Sequence, residues 1–121
     1  MATIHKMEVN EPHFTHIYRG IKTVEGRKRS DTWKYVKVGD ELLIVPKQPS
    51  TKEPFRVQVV YINSYMGPDP LFSYLMSEGL NRALPDVNTI TEAIAVYLEF
   101  WSAAEIKKLG MYGFGLKLIE K

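Results

Sequence analysis

The chain has 121 residues, 45% of them hydrophobic and 25% charged, with no cysteine and a formal net charge of +2 at pH 7. This composition excludes a disulfide scaffold, a cysteine zinc site and a thiol nucleophile, and the length predicts a single domain over residues 1–121. No stretch approaches the roughly 20 apolar residues of a membrane span, and Met1 to Asn10 lacks a signal-peptide core, so an intracellular, cytoplasmic protein is expected.

In chain order, His5, Met7 and Val9 alternate with Lys6 and Glu8, which predicts a half-buried strand. Asn10-Glu11-Pro12 then offers a helix start and Gly20 a left-handed stop, predicting a helix from Pro12 to Arg19 with Phe14, Ile17 and Tyr18 on its apolar face. In Lys22-Thr23-Val24-Glu25-Gly26-Arg27, strand alternation puts Glu25 and Arg27 on one face and Lys22 on the other. Val38-Gly39-Asp40 reads as a turn into a strand from Glu41 to Val45, and Lys47 to Pro54 as a hairpin loop.

Phe55 to Ile62 predicts a strand with Phe55, Val57, Val59 and Tyr61 on one face, followed by a loop from Asn63 to Pro70. Asp69 and Pro70 start a helix that Gly79 breaks or bends. Thr89 to Glu92 and Ser102 to Glu105 both have the capping-box spacing, so two helices meet near Trp101, the first with Ile94, Tyr97, Leu98 and Trp101 facing inward. Gly110 ends the last helix, and Phe114, Leu116 and Leu118 alternate in a closing strand. Five or six strands at the two ends of the chain, with three or four helices, predict a segregated α+β fold, satisfied by a small, partly closed barrel with helices at its flank.

The charge is uneven. Residues 1–61 hold eleven Lys or Arg against seven Asp or Glu, whereas residues 62–121 hold five against seven. The excess concentrates in Arg19, Lys22, Arg27, Lys28, Arg29, Lys34 and Lys37, a stretch that also contains Trp33 and Tyr35. Cations interleaved with aromatics suit phosphate contact with base stacking, and they equally suit a solvated turn between strands.

Gly20, Lys22, Glu25 and Arg27, followed by Gly39-Asp40, form a Gly-x-Lys-x-x-Glu-x-Arg stretch with a downstream Gly-Asp. The chain resembles the ASCH family in this stretch and, across most of its length, in Glu78-Gly79-Leu80, Leu84-Pro85 and Gly110-Met111-Tyr112-Gly113. The resemblance implies a PUA-like barrel with a ligand cleft between the first helix and the barrel, and an association with RNA or nucleotide binding. Lys22, Glu25 and Arg27 would line that cleft, with Arg19, Lys28, Arg29, Trp33, Ser64 and Tyr65 extending the contact surface. A helix start near Glu11 would attract anions there, and Arg27 would grip phosphate or a base edge. On the residues alone, Glu25 and Arg27 can instead form a structural ion pair, Trp33 can anchor a turn, and Ser64 can be a turn residue.

Some ASCH proteins are amidohydrolases on acetylated cytidine, using a lysine, a threonine and a glutamate. Lys22 matches the lysine, but Glu25 stands where the threonine is expected, so an enzyme here would pair Lys22 as cation with Glu25 as the base that activates water. Glu78 and Asp86 are candidates for the acidic partner. A ribonuclease using His5, His13 or His16 is a further alternative. His13 and His16 lack a third ligand nearby in sequence, so no metal and no cofactor is expected.

Overall fold

In the computed structural model, which describes residues 2–120, one mixed sheet runs in the order β1-β3-β4-β5-β2. Met1 and Lys121, the two ends of the expected domain span, lie outside the described residues. The strands are β1 (Ile4–Val9), β2 (Val24–Lys28), β3 (Glu41–Pro46), β4 (Phe55–Tyr65) and β5 (Met111–Glu120). Among the described residues only β1 and β3 pair in parallel, and the chain that joins them carries α1 (His13–Tyr18) and the edge strand β2. The helices α2 (Pro70–Glu78), α3 (Leu80–Ala83), α4 (Ile90–Leu98) and α5 (Ala103–Leu109) fill the span between β4 and β5, and the sheet curls into a half-barrel. The α+β class and the five strands are those expected; Gly79, at φ 89°, breaks one expected helix into α2 and α3, which brings the helices to five among the described residues.

Two apolar clusters flank the sheet. One packs α1 through Phe14 and Ile17 against Met7, Ile44, Val57 and Phe114, and the other packs α2, α4 and α5 through Leu75, Tyr97 and Ile106 against Val24 and Met111. Strand alternation feeds both, because successive side chains leave opposite faces. Turn chemistry fixes the joints. Asp40, buried behind Gly39 at φ 96°, accepts from the Lys37 amide at 3.0 Å and bonds His5 Nε2 at 2.8 Å, so the Gly-Asp pair locks a turn onto β1. Both capping spacings form: Thr89 accepts from the Glu92 amide at 3.2 Å, and Ser102 from the Glu105 amide at 3.1 Å.

Three expectations change. First, β4 continues to Tyr65, so Asn63, Ser64 and Tyr65 belong to a strand and not a loop. A register shift between Val59 and Tyr61 turns the side chains over: Ile62 joins the cluster under α1, whereas Tyr61 and Tyr65 face α2. Alternation drawn from Phe55 therefore misplaces Tyr61. Second, the inward face of α4 is Ala93 and Tyr97, while Leu98 is exposed. Third, the start of α1 is already satisfied: Asn10 O accepts from the Phe14 amide at 2.9 Å, and Glu11 Oε1 from the Thr15 amide at 3.0 Å. The expected anion site at Glu11 does not form, and the Glu11 carboxylate is bound instead by Lys52 of the β3–β4 loop. Among the described residues no helix is long and apolar enough to cross a membrane.

Candidate functional site

Lys22 owes its position to the way the chain leaves α1. Gly20 takes φ 76°, the amides of Ile21 and Lys22 both donate to His16 O at 3.1 Å, and the Thr23 amide donates to Arg82 O at 3.0 Å. The backbone is thus still turning at Lys22, and alternation does not yet apply there. Lys22 Nζ folds back to donate to Val24 O at 2.7 Å and to Ala83 O, and lies 3.3 Å from Glu25 Oε1. Lys22 and Glu25 meet although a continuous strand would separate them.

Glu25 and Arg27 share a face of β2, as their two-residue spacing predicts. Glu25 Oε2 accepts from Arg27 Nε at 2.9 Å and lies 2.7 Å from Nη2, which also donates to Glu8 O at 2.8 Å. The guanidinium carbon sits 5.4 Å from the centre of the Trp33 ring. Trp33 packs on the cluster under α1, so it supports Arg27 and anchors its turn at once. Lys22 is only 1% exposed and Glu25 only 7%. The trio therefore pairs internally, as an ion pair ordering the strand would, and it also borders open space.

That space is a cavity of about 130 Å³. Asn10, His13, Lys22, Glu25 and Arg27 form its polar side, and Leu84, Tyr97 and Trp101 its apolar side. The apolar wall is held from behind: Tyr97 stacks on Trp101 with ring centres 6.0 Å apart, and the hydroxyls of Tyr97 and Tyr74 lie 2.8 Å apart. Gly26 makes the floor possible, because a Cβ there would fall 2.4 Å from the Tyr74 hydroxyl oxygen.

The electrostatics follow from burial and neighbours. Burial by itself would raise the Glu25 carboxyl, but Arg27 and Lys22 outweigh it and hold it below the ordinary glutamate value. Burial pushes the Lys22 ammonium down, and Glu25 restores only part of the loss. His13 is lowered by burial and then by Lys22, against the opposing fields of Glu25 and Asp86. Its Nδ1 is buried without a hydrogen-bond partner. Among the described residues, no group of His, Asp and Glu is placed to hold a metal ion.

The remaining candidates lie outside the cavity. Lys28 pairs with Glu105 at 2.8 Å, Arg29 stacks on Tyr112 at 5.2 Å, and Arg19 is exposed beyond α1. Ser64 is exposed and pairs in register with Tyr112, so it adjoins Arg29. Tyr65 donates its hydroxyl to Glu78. Of the two acids considered as partners, Glu78 faces Tyr61, Asn63 and Tyr65 and not the cavity, whereas the field of Asp86 reaches both Lys22 and His13. Sequence reasoning missed Asn10 and His13 as lining residues and assigned Tyr97 and Trp101 to the core alone. The available signal for Trp101 was its place at the corner between two capped helices; for His13 it was a position off the apolar face of α1.

No family model and no curated protein matches the chain. Among solved structures it is similar to hypothetical protein PH0355, at TM-score 0.83 and 26% identity, covering 97% of this chain and 100% of that one. It is also similar to protein PF0455 from Pyrococcus furiosus, at TM-score 0.76 and 26% identity over 98% of this chain and 100% of that one. A point mutant of ZmASCH from Zymomonas mobilis aligns at TM-score 0.65 and 16% identity, over 95% of this chain and 68% of that one. The curled five-stranded sheet with its flanking helices is therefore the fold that the ASCH protein ZmASCH also adopts.

Proposed function

We propose that the chain is a single ASCH-type domain that binds RNA or a nucleotide in the cleft between α1, β2 and the end of α4. The observation that supports this reading is unfinished hydrogen bonding above a fixed ionic floor. Glu25 holds Arg27 through Nε and Nη2, and Arg27 Nη1 makes no hydrogen bond among the described residues. His13 Nδ1 is likewise unpartnered. A buried, unpartnered atom such as His13 Nδ1 is costly and normally satisfied, whereas Arg27 Nη1 is accessible and free to donate to water or to a ligand, and both residues line the cavity. A cavity of roughly 150 Å³ accommodates a benzene-sized ring, so the 130 Å³ here suits one planar base against the Tyr97 and Trp101 wall. Arg19, Lys28, Arg29, Trp33 and Ser64 are the proposed outer surface for the phosphate backbone and neighbouring bases of a longer ligand, whereas the Tyr65 hydroxyl is committed to Glu78.

Hydrolysis of a modified cytidine is the weaker reading. Glu25 would have to act as base, yet two cations hold its carboxyl low and engage both oxygens, which makes it a poor proton acceptor at neutral pH. Titration calorimetry with short oligoribonucleotides tests the binding reading. Affinity is expected to fall steeply with added salt, and Arg27→Ala to weaken it by about 1 to 3 kcal/mol at low salt. Unchanged affinity in a variant whose melting curve shows it folded contradicts the assignment of Arg27.

A further inference from the structure

The cavity lies along an unpaired strand edge. β2 is the last strand of the sheet and pairs only with β5 among the described residues. Thr23 O accepts from the Leu116 amide at 2.8 Å, and the Arg29 amide donates to Gly110 O at 2.9 Å. In an antiparallel ladder these bonds fall on alternate residues, so Glu25 and Arg27 also turn their main-chain groups towards β5, while Val24, Gly26 and Lys28 turn theirs away from it. On that open side Lys22 Nζ donates to Val24 O at 2.7 Å and the Ser30 amide to Lys28 O at 2.7 Å. The N–H and C=O of Gly26, between them, meet no partner among the described residues.

The space beyond them is the cavity. Asn10 and His13, at the start of α1, border it on one flank of the sheet, Tyr97 and Trp101, at the end of α4, on the other, and Gly26 lies between. Having no side chain, Gly26 lines the cavity with its backbone. Main-chain groups that the protein leaves open in so enclosed a residue are normally met by water or a ligand. An extended residue presents its N–H and C=O side by side, as it would to a further strand, and the pair complements a ring edge on which a donor adjoins an acceptor. Every common base carries such a pair on its Watson–Crick edge.

Resting on the cleft reading above, we propose that Gly26 is a specificity-determining residue of this site: its amide donates to the acceptor on the Watson–Crick edge of the base, and its carbonyl oxygen accepts from the adjoining N–H. The base thus docks on the open edge of β2 as one residue of a further strand would. Only a base whose edge is free can do so, so the cleft selects an unpaired base and rejects one whose donating nitrogen is fully alkylated.

Gly26→Ala is a poor probe, because a Cβ there would overlap the Tyr74 ring and disturb the fold, so the ligand is altered instead. Titration calorimetry with the four ribonucleosides identifies the one that wild type binds most tightly. That nucleoside is then compared with its analogue fully methylated on the donating nitrogen, which for uridine is the N3-methyl form, and both are titrated into the 15N-labelled protein. The parent nucleoside is expected to move the Gly26 amide proton downfield, and the methylated one to bind roughly tenfold more weakly or worse. A Gly26 amide that stays in place at saturation, or undiminished binding of the methylated nucleoside, overturns this inference and leaves the cleft reading standing. No heat with any of the four overturns both.

Discussion

Two buried glutamates divide the molecule into a part that is finished and a part that is not. Glu78, 2% exposed, is ringed by neutral donors: Tyr61 at 2.7 Å, Asn63 at 3.0 Å and the Tyr65 hydroxyl, with Arg82 Nη2 at 3.6 Å. These contacts fasten α2 to β4. Gly113 lies so close beneath that a Cβ there would be 2.8 Å from Glu78 Oε2. Glu25 is instead gripped by two cations, Lys22 with all three donors in use and Arg27 with Nη1 left over, and the three residues line a cavity. A carboxylate closed over by hydroxyls and packed glycine is a joint; a carboxylate that fixes cations at the edge of open space is a platform. The charge is the same in both, and what differs is which groups around it remain unsatisfied.

The largest expected effect breaks the contrast at the platform. Glu25→Ala leaves Lys22 buried without its counter-ion and should destabilise the fold by about 3 to 5 kcal/mol in denaturant titration. Glu78→Gln keeps an acceptor for the tyrosine hydroxyls and should cost only about 1 to 3 kcal/mol, without change in ligand affinity. Equal losses at the two sites would erase the distinction.

A pH series sharpens it. Burial favours neutral His13 in the fold, so its contribution is present above the ordinary value of 6.5 and lost as pH falls through its lowered folded value. Glu25 and Glu78 are both held below 4.5, so theirs is present above that value and lost at lower pH. The melting temperature is therefore expected to decline in two stages towards acid, with His13→Leu removing the first. The smallest effect belongs to the outer surface. Lys28→Ala breaks an exposed pair with Glu105 and should change stability by less than about 1 kcal/mol, while lowering the salt slope of oligoribonucleotide binding by about one.

Much of the frame was legible in the residues because it rests on local rules. The capping spacings at Thr89 and Ser102, the glycine stops at Gly20 and Gly110, and the Glu25 and Arg27 alternation each depend on a few neighbours in sequence, and each forms. What was not legible depends on contacts between distant segments. The register shift in β4 follows from its pairing with β5, so nothing within Phe55 to Tyr65 announces that Tyr61 turns towards Glu78. Lys22 meets Ala83 O because the end of α3 lies against it, and His13 lines a cavity because α4 ends opposite. The motif residues were identifiable; the aromatic wall that makes their surroundings a cleft was not.

The most direct test of the platform and joint distinction is an amide and side-chain NMR titration with a short oligoribonucleotide at low salt. Shifts concentrated at His13, Lys22, Arg27 and the Trp101 indole, with Tyr61, Tyr65 and Glu78 unmoved, are the predicted result. A saturable shift pattern centred on the Glu78 cluster, or no shift at the cleft while the oligoribonucleotide binds elsewhere, would contradict the account.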